Sequence, residues 1–172
     1  MGEEMRAETE REGAGNTGQA ALRYQGQCLH HLLQAMHKCC EAREDHEQYL
    51  FGLPCSQTHC LLLFSSRQHS TLTQVSRELG VAKSRAAALI DALVAKGLAQ
   101  RGPDPNDSRI KLITLTRTGR AKLHAVQRFQ ASMYEQVLQK LSPQERDQVL
   151  TCLEKLKYCL ELVKEEMGDE GK

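Results

Sequence analysis

The sequence predicts a mainly α-helical (α+β) fold, a winged helix-turn-helix with long helices before and after it. Three observations predict this fold. Two short amphipathic segments flank Gly80, two strand-like segments flank the turn-rich residues 102–108, and helical apolar spacing continues on both sides. A chain of 172 residues is long enough to bury a real core, so we expect one globular unit with flexible ends.

The first short helix is predicted from Leu72, Val75 and Leu79, whose spacing places them on one helical face. We expect Thr73 to be its N-cap, because a threonine hydroxyl can accept a hydrogen bond from a free N–H of the first turn. Gly80 follows directly and permits a tight turn, since it has no Cβ.

The second short helix carries one apolar stripe with the spacing i, i+3, i+4, i+7 and i+8. The stripe consists of Ala86, Leu89, Ile90, Leu93 and Val94. Gly97, directly after Lys96, is the expected glycine that ends this helix. The opposite face is made of mostly small and partly basic residues: Lys83, Ser84, Arg85, Ala87, Ala88 and Asp91. A helix with short side chains and two cations on its outer face can enter the major groove of DNA.

A β-hairpin is predicted after the second helix. Residues 98–101 and 110–115 have the composition of strands, and the residues between them, Gly-Pro-Asp-Pro-Asn-Asp-Ser, are typical of a turn. The hairpin would form the wing.

The N-terminal third is predicted to be a disordered tail followed by two helices. Residues 1–18 are rich in Glu, Gly and Arg and show no periodicity, which favours disorder. Residues 19–66 would be dimerisation and support helices, with a break at Gly52-Leu53-Pro54. The first of these helices carries an apolar seam made of Leu22, Leu29, Leu33, Met36 and Cys40. The second, about residues 56–66, is apolar enough to be buried on nearly all sides.

The C-terminal third, residues 118–167, is predicted to hold two long dimerisation helices, with a tail at 168–172. The start of the last helix is unusually complete, because Ser142 can cap it, Pro143 fits its first position and Glu145 can reach back. Its apolar residues repeat every three or four positions: Val149, Leu153, Leu156, Leu160, Val163 and Met167. Such a heptad seam implies a helical partner.

The charge of the chain is concentrated in residues 67–117, the predicted winged helix-turn-helix. The whole chain has a net charge of +1, whereas this segment has nine Lys/Arg and four acids, or 9 − 4 = +5. The first twelve residues hold five Glu against two Arg, and the last twelve hold five acids against two Lys. A basic middle between acidic ends is typical of a segment that meets phosphate. Aromatic residues make up only 4% and Trp is absent, which argues against a protein that stacks single-stranded bases.

The absence of two sequence features predicts where the protein resides and whether its cysteines are reduced. No apolar run approaches the ~20 residues of a membrane span, and the N-terminus has no apolar segment of a secretion signal. We therefore expect a cytoplasmic protein that does not enter a membrane, with its seven cysteines reduced.

Two stretches resemble the multiple antibiotic resistance regulator (MarR) family. LTQVSRELGVAKSRAAALIDALVAKGLAQR (72–101) is similar to that family's helix-turn-helix, and DPNDSRIKLITLTRTGRAKL (104–123) to its wing and the start of its fifth helix. The step Asp107-Ser108-Arg109 matches the family's D-x-R wing element, and residues 115–119, Leu-Thr-Arg-Thr-Gly, match its L-T-x-x-G. The resemblance covers roughly residues 25–165.

The resemblance implies a homodimeric transcription regulator rather than an enzyme. Two helix-turn-helix units would face consecutive major grooves about 34 Å apart on a palindromic operator. The resemblance also implies repression, because a dimer on a promoter blocks polymerase, and release by a small aromatic effector in the dimer crevice.

The expected DNA-binding residues are carried over from the family pattern. They are Thr71, Thr73, Lys83, Ser84, Arg85, Ala87, Ala88, Arg101, Asp107, Ser108, Arg109 and Lys111. Arg109 matches the wing arginine that approaches the minor groove, with Asp107 expected to hold it. Arg101 and Lys111 would contact phosphates.

The chain departs from the family pattern at three alanines. Ala87 and Ala88 stand where family members commonly have polar or basic residues, and alanines offer only apolar contact to thymine methyl groups. Base recognition would therefore depend more on Lys83, Ser84 and Arg85, on the wing and on DNA shape. Ala82 replaces a frequent Ser and is a poor N-cap, by roughly 1 kcal/mol.

Zinc sensing is one alternative to an aromatic effector, although we expect no cofactor. His37 and Glu41 are spaced i, i+4, which can chelate a metal. Glu47 and His59 fall near positions that zinc-uptake repressors of the family use as ligands. Those repressors also use histidines on the fifth helix, where this chain offers only His124, about half a turn out of register.

Thiol sensing is the other alternative, with Cys28, Cys55 and Cys60 as candidates. Cys28 lies near the start of the first helix, within a couple of residues of the reactive cysteine in the family's organic-hydroperoxide sensors. A reactive thiol needs cationic or helix-N-terminal surroundings that lower its pKa.

Two further function classes stay open. Cys55, His59 and Cys60 could form an enzyme site, but no nucleophile–base–orienter set and no phosphate-binding glycine loop supports one. A winged-helix protein–protein module without DNA binding is supported only by Ala87 and Ala88. A DNA-binding regulator explains more of the sequence than either.

Overall fold

The structure, a computed structural model, describes residues 2–105, 107 and 109–169, and the side chains of 18–105, 107 and 109–167. Ser108, one of the expected wing residues, lies outside the described residues. The elements in chain order are α1 (Gly2–Phe51), α2 (Cys55–Leu62), β1 (His69–Thr71), α3 (Leu72–Leu79), α4 (Lys83–Ala95), β2 (Ala99–Pro103), β3 (Lys111–Leu115), α5 (Arg117–Leu138) and α6 (Pro143–Asp169). They belong to two compact units, Met1–His59 and Cys60–Lys172. In the part of the chain that is described, no helix combines the length and apolarity that crossing a membrane requires.

The first unit consists of the long helix α1 and the start of α2. Helix α1 spans Gly2–Phe51, and the disordered tail expected at residues 1–18 stays a prediction.

The predicted break between the first two helices is confirmed. Gly52 adopts φ +66°, and its N–H donates to Gln48 O over 2.9 Å, which ends α1. Pro54 then precedes α2, and its carbonyl accepts from the N–H groups of Gln57 and Thr58. Helix α2 ends at Leu62 instead of continuing to residue 66, because the N–H groups of Phe64 and Ser65 turn back to Leu61 and Leu62.

The second unit is built around the predicted helix-turn-helix. Val75 of α3 and Ala86, Leu89, Ile90 and Leu93 of α4 are buried, so the apolar stripe is confirmed except at Val94, which is 38% exposed. The turn between the helices depends on Gly80, with φ +64° and an N–H that donates to Arg77 O. A side chain there would be strained, as a left-handed backbone favours glycine.

The N-cap of α3 is Thr71 and not Thr73, the predicted residue. The Thr71 hydroxyl accepts from Gln74 N–H over 3.3 Å, and the Gln74 side chain accepts from Thr71 N–H over 2.8 Å. This reciprocal capping box starts the helix at Leu72, whereas Thr73 lies inside the first turn and is exposed.

A three-stranded antiparallel sheet has the order β1-β3-β2. The two predicted wing strands are confirmed as β2 and β3, displaced by one or two residues, with Arg101 paired to Ile113. Strand β1 was missed by the sequence analysis. It pairs Ser70 with Ile113, and three polar residues carry no strand pattern that would have revealed it.

Helix α5 begins in close backbone contact with Gly97 and Leu98, the two residues that precede β2. The Thr116 hydroxyl accepts from Gly119 N–H over 3.0 Å and donates to Gly97 O over 2.7 Å. Gly119 is buried, and a Cβ built on it would lie 1.8 Å from Leu98 O. This contact explains physically why the segment Leu-Thr-x-x-Gly ends in glycine.

Helix α6 starts as predicted, with Ser142 N–H donating to Glu145 Oε2 over 2.8 Å and Glu145 N–H donating to the Ser142 hydroxyl. The helix reaches Asp169, so the predicted tail at 168–172 is helical in its first two residues, and residues 170–172 lie outside the described part.

Candidate nucleic-acid interface

The outer face of α4 begins with an uncapped, cationic first turn. Ala82 precedes the helix with φ −59° and ψ 150° and has no side-chain acceptor, as the sequence analysis expected. The first intrahelical bond runs from Ala86 N–H to Ala82 O, so the N–H groups of residues 83–85 point out of the helix. Lys83, Ser84 and Arg85 are all exposed. This end of α4 therefore combines free donors, the positive helix dipole and two cations, which together attract an anion.

The two alanines of α4 differ in their exposure. Ala88 is exposed and Ala87 is half-buried, so both remain on or near the outer face. They add no hydrogen-bonding side chain to the surface next to Arg85.

The wing is joined to α4 by an ion pair that the sequence analysis did not anticipate. Arg101 Nη1 on β2 lies 2.8 Å from Asp91 Oδ1 on α4, and both side chains are largely exposed. The predicted phosphate contact of Arg101 thus competes with Asp91. The same pair shows that β2 lies beside the outer face of α4.

The tip of the wing is shaped by Asp107. Its carboxylate accepts from the backbone N–H of Arg109 over 3.0 Å, and its carbonyl accepts from Ile110 N–H. Asp104 N–H closes the tip by donating to Ile110 O over 2.9 Å. Asp107 therefore holds Arg109 through the main chain, and the guanidinium of Arg109 is exposed.

Four cations of the candidate interface are available to a ligand. Of the ion pairs in the described residues, none involves Lys83, Arg85, Arg109 or Lys111, and all four side chains are exposed. Thr71, by contrast, is occupied as the N-cap of α3, and Thr73 is exposed.

The three candidate thiols have different surroundings. Cys28 is exposed on α1. Burial, together with a hydrogen bond to Glu44, raises the pKa of the Cys55 thiol to about 11, and burial raises the pKa of Cys60 to about 11. Cys55 and Cys60 are therefore protonated at neutral pH, which makes them poor nucleophiles.

The candidate metal ligands do not form the set that the sequence pattern suggested. His37 Nε2 and Glu41 Oε1 lie 3.4 Å apart on the exposed side of α1, with no third ligand nearby among the described residues. Glu47 is buried and paired with Arg43. His124 lies on α5 and is exposed.

His59 instead lies beside Cys55 and Glu44, which form a cluster within the first unit. Glu44 is one of the many potential ligands on the first helix, but it was not predicted to join Cys55, from which it lies eleven positions and a helix break away. The turn at Gly52-Leu53-Pro54 is the sequence signal that could have revealed this contact. It brings the start of α2 back to the last part of α1.

Part of the chain is similar in sequence to known proteins. The model of the MarR family matches residues 51–110. An uncharacterized HTH-type transcriptional regulator of Bacillus subtilis, YxaD, is 43% identical over 56 residues, which are 33% of this chain and 39% of that relative's length. The match thus spans well under half of the curated relative.

Solved structures share the fold over most of the chain. A variant of MepR from S. aureus superposes with a TM-score of 0.67 at 23% identity, covering 76% of this chain and 96% of MepR. Streptococcus pneumoniae FabT, solved in complex with DNA, superposes with a TM-score of 0.68 at 23% identity, covering 76% of this chain and 95% of FabT. The winged-helix fold predicted from the sequence is confirmed.

Proposed function

We propose that this protein is a DNA-binding transcription regulator and not an enzyme, because residues 51–110 match the model of the MarR family. The observation that carries the proposal is the cationic outer face of the second unit. On this face the uncapped start of α4 and the wing each present exposed cations.

The first turn of α4 has the chemistry that a DNA backbone requires. Lys83 and Arg85 supply charge, and the N–H groups of residues 83–85 can donate to phosphate oxygens. A helix of this kind enters the major groove with its N-terminal residues against base edges. FabT, which shares the fold, was solved with DNA bound.

Sequence preference would come from few residues. Ala87 and Ala88 can contact only thymine methyl groups, so hydrogen-bonded recognition falls to Lys83, Ser84 and Arg85. Arg109 at the wing tip is exposed and suits the narrow, electronegative minor groove of A-tracts. The operator would therefore be recognised partly by its shape.

We further propose a homodimeric repressor on a palindromic operator. The support is the apolar seam of α6, whose members Val149, Leu153, Leu160, Val163 and Met167 are 40–64% exposed in the single chain. A contiguous exposed apolar stripe marks an interaction surface. A second copy of the same helix satisfies it by two-fold symmetry.

The effector remains a prediction from the family resemblance, a small aromatic ligand held between the two protomers. Oxidant sensing through Cys55 or Cys60 is disfavoured by their raised pKa values. Salicylate is a suitable probe, and it should release the protein from DNA. Unchanged DNA binding with salicylate and related phenols would remove this effector class.

DNA binding is tested by a salt titration on a duplex selected from a randomised pool. We expect the logarithm of the binding constant to fall linearly with the logarithm of salt concentration, with a slope of several units. Arg109→Ala should weaken binding and reduce that slope by about 1, because one phosphate or groove cation is lost.

Lys164→Ala is the matched control, since Lys164 is an exposed cation on α6, away from the candidate interface in sequence. It should leave both affinity and slope unchanged. If no duplex is bound in a salt-dependent manner, the regulator proposal fails and the protein–protein module is favoured.

A further inference from the structure

We propose that Glu44, Cys55 and His59 form a zinc-binding site in the first unit, at the junction of α1 and α2. The three residues supply one carboxylate oxygen, one sulfur and one imidazole nitrogen, and these atoms lie within 4.8 Å of one another. The proposal does not depend on DNA binding, because the site lies in a different unit from the cationic face.

The distances between the ligand atoms are close to those around a tetrahedral metal. Cys55 Sγ lies 3.6 Å from His59 Nε2, and His59 Nε2 lies 3.8 Å from Glu44 Oε1. Zinc bonds of about 2.0–2.3 Å at tetrahedral angles place such atoms roughly 3.3–3.6 Å apart. These two pairs need shifts of a few tenths of an ångström.

The contact between Cys55 and Glu44 involves the other carboxylate oxygen, Oε2, and it is short because the thiol proton lies between the two atoms. Cys55 Sγ donates to Glu44 Oε2 over 2.8 Å. When the metal binds, the thiol proton leaves to solvent, the S–H···O bond is replaced by a sulfur–metal bond and an oxygen–metal bond, and the two atoms move apart by roughly 0.7 Å. No oxidant or reductant is involved.

The local fold explains why these residues meet. Cys55 and His59 are spaced i, i+4 on α2, which places them on the same face of that helix. Gly52 in the left-handed conformation, followed by Pro54, reverses the chain so that the first turn of α2 meets Glu44 near the end of α1. The metal would therefore link the two helices across their turn.

The donor set favours zinc over the hard cations. Magnesium and calcium take oxygen ligands almost exclusively, whereas a thiolate with an imidazole and a carboxylate suits zinc. Three protein ligands leave the fourth position to water. The His59 and Glu44 side chains are 53% and 29% exposed, so an ion can reach the site from solvent.

The site differs from the exposed pair His37–Glu41, which offers two ligands on one helix and no third among the described residues. Pairs of potential ligands are common on protein surfaces that bind no metal. Three donors of different chemistry from two helices, one of them a half-buried thiol, are a more specific arrangement.

The experiment is a zinc titration of the full chain under reducing conditions, in competition with a chromophoric chelator. We expect one tightly bound Zn²⁺ per chain. Cys55→Ser, His59→Ala and Glu44→Gln should each weaken zinc at least 10–100-fold, which is the loss seen when only an outer-shell partner is removed. Zinc should also raise the Tm of the wild-type chain more than that of the variants.

Cys40→Ser and His37→Ala are the matched controls, because both residues are exposed on α1 and have the same ligand chemistry. They should bind zinc as the wild type does. Cobalt gives an independent readout, since a Co²⁺–thiolate bond produces a near-ultraviolet charge-transfer band that Cys55→Ser should abolish and Cys40→Ser should keep.

Three results would overturn the proposal. The wild-type chain could fail to take up stoichiometric zinc, the three site variants could bind zinc as tightly as the wild type, or the control variants could lose it instead. Circular dichroism of each variant shows whether it has folded. Glu44→Gln keeps the volume of the side chain and is the variant least expected to disturb the fold.

Discussion

Gly119 is a residue at which one added methyl group should destabilise the fold. A methyl group at this position meets Leu98 O at 1.8 Å, and that carbonyl also accepts from Thr116 N–H, so the backbone cannot move away freely. We expect Gly119→Ala to lower the free energy of unfolding by at least about 2 kcal/mol. Urea denaturation of the wild type and the variant measures this difference in the free energy of unfolding.

Gly26→Ala is the control for this prediction, since nothing lies within 4 Å of a Cβ at that helical position. It should leave stability unchanged or raise it by up to about 1 kcal/mol, because alanine favours helix. Equal effects at the two glycines would show that helix propensity, and not the contact with Leu98, decides the outcome.

Glu145 makes the start of α6 sensitive to pH. The Ser142 backbone N–H, and secondarily the Ser142 hydroxyl, hold the pKa of this exposed carboxyl below its ordinary value. Since the folded-state pKa is depressed, the stabilising contribution is present above the unfolded pKa, about 4.3, and is lost as pH falls through the lower folded pKa.

An NMR titration of the Glu145 carboxyl tests this prediction. Its pKa should lie below the ordinary value in the wild type and move partway back in Ser142→Ala, which removes the hydroxyl and keeps the N–H. A wild-type pKa at or above the ordinary value would mean that the capping box does not form in solution.

At the scale of elements, the start of α3 distinguishes two threonines that the sequence pattern does not. Thr71 shares the reciprocal hydrogen bonds with Gln74, whereas Thr73 is an exposed residue of the first turn. We expect Thr71→Ala to lower the free energy of unfolding by about 1 kcal/mol. Thr73→Ala should change it by no more than about 0.5 kcal/mol. A larger loss at Thr73 would restore the originally predicted cap.

The elements predicted correctly are those whose signal is local. The stripe of α4, Gly97 after it and the Ser142-Pro143-Glu145 start of α6 each depend on residues within one or two helical turns. Strand β1 was missed because its stability comes from pairing with β3, more than forty residues later in the chain.

The features of the candidate sites likewise include some that the sequence predicted and others that it could not predict. The exposed cations Lys83, Arg85 and Arg109 followed from a helix face and a turn that the sequence displays directly. The ion pair of Arg101 with Asp91 and the contact of Glu44 with Cys55 could not be predicted, because each joins two elements whose orientation is a tertiary property. Long-range contacts of this kind require the fold itself.

At the scale of the whole molecule, the apolar seam of α6 is an exposed apolar surface. In the single chain Leu153 and Leu160 are 42% and 49% exposed, although they follow the spacing of a packed helix. Burying a leucine fully contributes about 1.5–3 kcal/mol, so a seam of this length can hold two protomers together. The free energy of burying these leucines is not gained when the monomer folds alone.

The double variant Leu153→Glu/Leu160→Glu should therefore convert a dimer into a monomer. Dimer formation would bury two carboxylates per chain against apolar neighbours, which costs several kcal/mol without partners. Light scattering after size-exclusion chromatography should give twice 19.3 kDa for the wild type and 19.3 kDa for the variant. Lys155→Glu, at an exposed position of α6 outside the seam, changes charge in the same direction and should remain dimeric. A wild-type mass of one chain, or a dimeric double variant, would show that the seam of α6 is not the interface.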